Sequence, residues 1–187
     1  ELVRRYSGTI GLDWEIFTAG YDKYRRLLDG NFLSFEEMYD LIFADAEVDV
    51  SAEDKANIIE SDMQSFVVRN EDTLQFMRLL KKSGMKIGIL TNMATSFVPR
   101  FKKHFSDFLE LADAVVVSGE EKMFKPQKRI YRLLQKRISL PGEELCFFDD
   151  VEANCEGAKK CSWKAVQFFS ADDASKKFHD MILHKDV

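Results

Sequence analysis

Residues 1–70 carry apolar positions at steps of three and four, the spacing that places side chains on one face of an α-helix. One such stripe runs from Asp13 to Leu28, and Gly30 follows it as a stop signal. Two further helix starts are marked by a serine with an acidic residue three positions later: Ser34 with Glu37, and Ser51 with Asp54. The stretch 1–70 is therefore predicted to be all-helical.

After residue 70 the pattern changes to short apolar runs that alternate with helical stripes. The predicted strands are Lys86–Leu90, Ala114–Val117, Leu145–Phe148 and Ala165–Phe169. The predicted helices of this part are Thr73–Lys82, Phe97–Phe105, Lys128–Ile138, Glu152–Lys160 and Ala174–Leu183. Alternation of this kind is typical of a mainly parallel sheet covered by helices on both faces, so residues 71–187 are predicted to form an α/β domain.

Charge divides the chain at the same place. Residues 1–70 hold 7 basic and 15 acidic side chains, whereas 71–187 hold 20 and 17, which indicates two structural units. The net charge of -5 argues against a general nucleic-acid-binding protein. No apolar run approaches the roughly 20 residues of a membrane helix, and three cysteines without a CxxC spacing suit reduced thiols. We therefore expect a cytoplasmic protein without nucleic-acid or membrane partners.

Polar side chains follow three of the predicted strands, directly or through one loop. Thr91 and Asn92 follow the first strand, Lys125 follows the second through a loop, and Asp149 and Asp150 follow the third. Because ligands of an open parallel sheet bind beyond the carboxyl ends of its strands, we expect these residues to meet at one edge. From their own segment alone, Thr91 and Asn92 fit capping of the next helix equally well.

Two of these positions indicate a charged ligand. Adjacent carboxylates at Asp149 and Asp150 repel each other unless a cation intervenes, and Mg²⁺ suits oxygen ligands that leave room for water and phosphate. The alternative is that Asp150 caps the following helix. Pro126 is predicted to open the helix after Lys125, which would place a cation at the positive end of a helix, where a bound anion or a carboxylate must offset it.

Three segments carry a resemblance to the haloacid dehalogenase superfamily, and most to its sugar-phosphatase-type members with a small helical cap. They are ILTNMATSF, SGEEKMFKPQKRIYRLL and CFFDDVEANCEGAKK. The resemblance covers about 71–187 and implies a Rossmann-like core there, with 1–70 as the helical cap. It also implies a Mg²⁺-dependent hydrolase of small phosphorylated metabolites that works as a monomer or homodimer through an aspartyl-phosphate intermediate.

The resemblance also implies roles for the five polar residues. Thr91 would bind the transferring phosphoryl group and Asn92 would help to position the substrate. Lys125 would act in catalysis by neutralising charge on the nucleophile and on the phosphoryl oxygens. Asp150 would be the direct magnesium ligand, with Asp149 as its close catalytic partner. The Asp-Asp pair favours a phosphatase over a dehalogenase, whose corresponding segment needs no metal-binding pair.

The family's first motif, a buried strand that ends in the aspartate nucleophile, is not found in residues 1–187. Asp13 lies in the nearest imitation, but no apolar strand precedes it and it begins a helical stripe. In the family that strand lies between those that end here at Leu90 and Phe148, so we expect roughly 10–20 further residues upstream, enough for a strand and its loop. The alternatives are a non-catalytic binding or regulatory relative, a dehalogenase and a phosphomutase.

Overall fold

The computed structural model describes residues 10–183. These residues form two compact units, one of 10–68, 92–104 and 117–122, the other of 69–91, 105–116 and 123–183. Residues 1–9 of the predicted cap and 184–187 of the predicted core lie outside the described range, and the boundary at residue 70 stays a prediction. None of the helices in the described range has the length and apolar character that spanning a membrane requires.

The elements alternate as predicted after residue 70. In chain order they are α1 (Trp14–Asp29), α2 (Phe35–Asp45), α3 (Ala52–Ser65), α4 (Glu71–Lys82), β1 (Gly88–Thr91), α5 (Val98–His104), α6 (Ser106–Leu111), β2 (Ala114–Val117), α7 (Ser118–Glu121), α8 (Lys128–Ile138), β3 (Cys146–Asp149), α9 (Glu152–Lys159), β4 (Lys164–Gln167) and α10 (Ala171–Leu183). Short 3₁₀ turns cover Thr95–Phe97 and Gly142–Glu144. The short helices α6 and α7 were not predicted, and the segment of α7 was expected to be a loop.

The starts of α2 and α3 are fixed by the side chains that the sequence indicated. The Ser34 hydroxyl accepts a hydrogen bond from the Glu37 amide, and the Glu37 carboxylate accepts one from the Ser34 amide. The Ser51 hydroxyl accepts from the Asp54 amide at 3.1 Å. These bonds satisfy amides that have no partner within the helix, so the predicted capping patterns are confirmed.

The core of the first unit is built by α1, α2 and α3. Leu28, Met38, Tyr39 and Ile42 are completely buried there. The polar contact inside this core is made by Asp62, whose carboxylate accepts hydrogen bonds from the Tyr39 hydroxyl at 3.1 Å and from the Tyr21 hydroxyl. Burial, the largest effect, raises the pKa of Asp62 above its ordinary value.

The second unit holds the four described strands as two pairs rather than as one sheet. β1 pairs with β2, and β3 pairs with β4 in parallel with Cys146 opposite Lys164 and Asp149 opposite Gln167. Among residues 10–183 no strand joins β1 to β3. The single continuous sheet that the alternation predicts is therefore not formed by the described residues, and the expected strand between the two pairs stays a prediction.

Three aromatic rings form the centre of the second unit's core. Tyr131, Phe147 and Trp163 meet in edge-to-face contacts with ring centroids 5.6–6.0 Å apart. Such contacts bury large apolar surfaces in fixed orientations, because the positive edge of one ring meets the negative face of another. They hold α8 against β3, the strand that ends in Asp149.

Candidate active site

Lys125 and Asp149 form a buried ion pair at the end of β3. Nζ of Lys125 lies 2.6 Å from Oδ2 of Asp149, and the two side chains are only 10% and 5% exposed. The same ammonium group donates to the carbonyl oxygen of Leu90 in β1 at 3.1 Å. One cation thus joins the carboxyl ends of two strands, as the sheet-edge argument predicts.

The second oxygen of the Asp149 carboxylate is also held. Oδ1 accepts from the Val151 amide at 3.0 Å and from Nδ2 of Asn154 at 2.8 Å. With both oxygens engaged and Lys125 opposite, this carboxylate is fixed in orientation and neutralised. Asn154 was missed in the sequence analysis, although an asparagine is an unfavoured residue inside a helix and could have drawn attention.

Asp150 has the opposite environment. Its residue is exposed, and within the described range its carboxylate forms no hydrogen bond or ion pair, while its backbone carbonyl accepts from Nε2 of Gln167 at 2.9 Å. Val151 rather than Asp150 is the N-cap residue of α9, and no side chain caps that helix. The capping alternative for Asp150 is therefore wrong, and its carboxylate is available to a ligand.

Thr91 and Asn92 fall on the two sides of a unit boundary. Thr91 ends β1, directly after the Leu90 carbonyl that binds Lys125, and it is half-buried within the second unit. Asn92 is half-buried as well but belongs to the first unit. Within the second unit the structure therefore brings together Lys125, Asp149, Asp150 and the β1 end that carries Thr91.

The prediction that Pro126 opens a helix is wrong. α8 begins at Lys128 with Gln127 as its N-cap residue, and the peptide bond between Lys125 and Pro126 is cis. Lys125 therefore lies in the preceding loop rather than at the helix start, and the Asp149 carboxylate offsets its charge directly. Lys125 thus lies at the carboxyl ends of β1 and β3 as predicted, but not at a helix terminus.

The loop that carries Lys125 rests on a glycine of α9. A Cβ atom at Gly157 would lie 2.9 Å from Cβ of Pro126 and 2.7 Å from the hydroxyl oxygen of Tyr131. The Tyr131 hydroxyl donates to the Asn154 carbonyl at 2.8 Å. Burial, together with the nearby Asp149 carboxylate, raises the pKa of Tyr131, so its phenol stays protonated and keeps donating. Gly157, Tyr131 and Asn154 thus support both partners of the ion pair.

The carboxylates at the end of β3 are the residues that could hold Mg²⁺. No group of three or more His, Cys, Asp or Glu residues that could hold a metal occurs among residues 10–183. Mg²⁺ commonly uses only one or two carboxylates and keeps waters and substrate phosphate oxygens as its other ligands. An exposed Asp150 carboxylate beside a fixed Asp149 fits that requirement.

Asp13, the nearest imitation of the family's nucleophile, has a structural role. Its carboxylate accepts from the amides of Glu15 at 2.8 Å and Ile16 at 3.1 Å, and it is the N-cap residue of α1. An aspartate in this position stabilises the helix by satisfying amides of the first turn. The interpretation of Asp13 as the start of a helix is confirmed.

Comparison with characterised sequences shows two kinds of relative. An (S)-2-haloacid dehalogenase of Pseudomonas fluorescens is 27% identical over 147 residues, which cover 76% of this chain and 64% of that protein. The phosphatase MT3486 of Mycobacterium tuberculosis is 23% identical over 119 residues, covering 64% and 55%. The chain thus spans less than two thirds of the length of these relatives.

Comparison with solved structures gives the fold. The crystal structure of a haloacid dehalogenase (HAD) family enzyme from Bacteroides thetaiotaomicron matches with a TM-score of 0.72 at 21% identity, covering 95% of this chain and 90% of that one. A crystal structure of the same enzyme in complex with magnesium and inorganic phosphate matches with a TM-score of 0.59 at 20% identity, covering 83% and 86%.

The fold and the sequence likeness agree with each other. The described residues have the HAD-like α/β fold of these enzymes, with helices between parallel strands. The family model for haloacid dehalogenase-like hydrolases matches residues 3–161, which is most of the chain. The chain therefore belongs to the haloacid dehalogenase-like hydrolase family.

Proposed function

We propose that this protein is a Mg²⁺-dependent phosphomonoesterase that hydrolyses small phosphorylated metabolites. The observation that carries the proposal is the unequal pair at the end of β3, with Asp149 neutralised by Lys125 and Asp150 exposed. Magnesium, when bound, would neutralise charge on phosphate oxygens, and Asp150 is the residue that we propose to hold it.

Lys125 is proposed to interact with two anionic groups, the Asp149 carboxylate and the phosphoryl group of the substrate. Its ammonium group is held between Asp149 and the Leu90 carbonyl, so it is fixed at the edge where a phosphoryl group would bind. A preorganised cation in a partly buried place stabilises charge that develops in a transition state better than a mobile one does. Thr91, at the end of β1, is proposed to donate a hydrogen bond from its hydroxyl to a phosphoryl oxygen.

The attacking group is proposed to be an aspartate that residues 1–187 do not contain. Its carboxylate oxygen would form a bond to phosphorus while the bond from phosphorus to the ester oxygen breaks, and the leaving alkoxide would take a proton from a general acid. Water would then attack the aspartyl phosphate and release inorganic phosphate, which restores the carboxylate. Asp13 is excluded from this role because its carboxylate caps α1.

Dehalogenation of a 2-haloacid is the second candidate, favoured by the likeness to the Pseudomonas dehalogenase. A dehalogenase also uses a carboxylate nucleophile, but it displaces halide from carbon and needs no metal. The free carboxylate of Asp150 has no evident task in that reaction. Metal dependence therefore separates the two candidates.

The test is an assay of the full-length protein with its native N-terminus against p-nitrophenyl phosphate and 2-chloropropionate. We expect phosphate release that needs Mg²⁺, stops with EDTA, and falls at least about 100-fold in Asp150→Asn, the range found when one charge-stabilising group is removed. Glu152→Gln, the same chemical change at an exposed position two residues away, is the matched control and should keep full activity.

Two results would overturn the proposal. Metal-independent chloride release would assign the dehalogenase reaction. Full phosphatase activity in Asp150→Asn would show that the carboxylate pair is not the metal-binding element.

A further inference from the structure

A pair of adjoining cavities lies on the second unit, away from the candidate active site. Their volumes are about 300 and 570 Å³, and they share Arg132, Gln135 and Pro141 as lining residues. The walls come from α8 and from the loops that lead into the amino ends of β3 and β4. Neither cavity is lined by Thr91, Lys125, Asp149 or Asp150, although Lys128 lies only three residues after Lys125. Both are shallow and open to solvent, and the basic residues that line them are exposed.

The lining is strongly basic. Lys128 and Lys160 line the smaller cavity, Lys136 lines the larger one, and Arg132 lines both, whereas Glu143 is the sole acidic lining residue among residues 10–183. Within the described range none of these five side chains forms an ion pair. This concentration of positive charge stands out in a chain whose net charge is -5.

The spacing of these cations also destabilises α8. Lys128, Arg132 and Lys136 follow one another at four-residue spacing on α8, where side chains are neighbours on one face and like charges repel. α8 contains no acidic residue that could relieve this repulsion. A bound anion would do so, and a concave surface lined by one sign of charge concentrates ions of the other sign.

We propose that these cavities are a binding site for a small phosphorylated anion carrying two or more negative groups. Two anionic groups suit the layout, since Arg132 is common to both cavities and further cations lie on either side. Arginine offers a planar set of donors that matches phosphate oxygens, and lysine adds a point charge. The site is separate from the proposed phosphatase centre and does not depend on that function.

Cys161 provides a reporter inside the smaller cavity. It is half-buried, and its Sγ lies 3.8 Å from the Lys128 carbonyl oxygen. Burial raises the pKa of this thiol, while Lys128 and Arg132 lower it. An anion that neutralises those cations and fills the cavity would slow the reaction of Cys161 with an alkylating reagent. Burial raises the pKa of Cys146 to about 12, which makes that thiol a slow internal reference.

The experiment measures alkylation of Cys161 by iodoacetamide in the full-length protein, with peptide mass spectrometry to separate the three cysteines. Pyrophosphate is the probe, and EDTA is present throughout to suppress Mg²⁺-dependent chemistry. We expect pyrophosphate to slow labelling of Cys161 at least about fivefold in a saturable manner. Sodium chloride at the same ionic strength should give no such protection, because general screening does not fill the cavity.

Charge variants decide whether the site is specific. Arg132→Glu should abolish protection, whereas Arg129→Glu, the same change on the same helix outside both cavities, should retain it. Glu143→Gln should strengthen protection by removing the one carboxylate of the lining. Asp150→Asn should leave protection unchanged, so failure of the proposed phosphatase would not imitate failure here.

Two outcomes would overturn the proposal. Absence of protection in the unmodified protein would show that no such anion binds. Equal loss of protection in Arg132→Glu and Arg129→Glu would show diffuse attraction to a basic helix rather than a site.

Discussion

Nζ of Lys125 is 2.6 Å from Oδ2 of Asp149, while Asp150, the very next residue, is exposed. The two adjacent carboxylates therefore differ in burial and in pairing. Asp149 is fixed by Lys125, Asn154 and the Val151 amide, and Asp150 is left to meet a ligand. This difference underlies the proposed function and leads to the first prediction.

Replacing Lys125 with methionine should destabilise the second unit. The substitution keeps an unbranched side chain, shorter by one atom, but leaves Asp149 buried without its cation, a change that typically costs about 3 kcal/mol. Urea unfolding monitored by circular dichroism would measure the loss. The double variant Lys125→Met/Asp149→Asn should recover part of it, because no uncompensated charge remains. Equal stability of Lys125→Met and the unmodified protein at pH 7 would contradict the buried pair.

Gly157→Ala should lower stability and disturb the Lys125 loop. The added methyl group would lie within 3.0 Å of the Pro126 carbonyl oxygen and 2.7 Å from the Tyr131 hydroxyl oxygen. Overpacking of this kind costs about 1–3 kcal/mol. Gly88→Ala is the matched control, since its methyl would meet only the far ends of the Leu134 and Ile138 side chains, at 3.1–3.3 Å, and its cost should be smaller. Thermal denaturation of both variants would show whether Gly157→Ala loses more stability than Gly88→Ala.

Asp113 should make the stability of the second unit depend on acidic pH. Its Oδ2 accepts from Nζ of Lys81 at 2.6 Å and from the Ile87 amide at 2.7 Å, and these partners lower its pKa. A lowered folded-state pKa gives stabilisation that is complete above the ordinary carboxyl range and is lost as pH falls through the folded value. Asp113→Asn should therefore cost about 1 kcal/mol at pH 7, a modest figure because the pair is partly exposed.

The measurement for Asp113 is the unfolding free energy of both proteins across a pH series. The difference in unfolding free energy between the unmodified protein and Asp113→Asn should vanish as pH falls below the folded-state pKa of Asp113. A gap that stays constant with pH would show that the side chain acts through its shape rather than its charge.

Asp62 should make the stability of the first unit fall as pH rises, the opposite of the dependence expected for Asp113. Burial raises its pKa despite the opposing influence of Arg25 and of the two tyrosine hydroxyls, so the carboxyl group binds its proton more tightly in the folded state than in the unfolded state. The resulting stabilisation is complete below the ordinary carboxyl pKa and is lost as pH rises through the folded value. The stability of the unmodified protein relative to Asp62→Asn should therefore fall with rising pH. Urea unfolding would show this, with exposed Asp22→Asn as the control.

Local chemistry made most elements predictable. Ala114–Val117 and Lys128–Ile138 have the predicted bounds, because an apolar run and an amphipathic stripe each depend on neighbouring residues alone. The first predicted strand, Lys86–Leu90, begins two residues and ends one residue before the observed strand Gly88–Thr91. Its boundary depends on pairing with β2, which is distant in sequence, so the apolar pattern could not define it.

The strand ends that carry the candidate site could be predicted, but the arrangement of its side chains could not. Strand ends pointed to Thr91, Lys125, Asp149 and Asp150, since parallel strands bring their carboxyl ends to one edge. Which carboxylate is paired, the position of Lys125 before α8, and the part played by Asn154 each depend on side chains brought together from separate elements.

The sequence by itself determined that this chain is an α/β protein with helices before residue 70, and that its polar strand ends resemble a phosphoryl-transfer site. Periodicity and capping are local, so they can be recognised without a structure. Only the tertiary structure decided that Asp149 is neutralised while Asp150 is free, and that basic side chains of α8 meet Lys160 around a cavity. Burial and distance are properties of residues far apart in the chain, and folding alone brings them together.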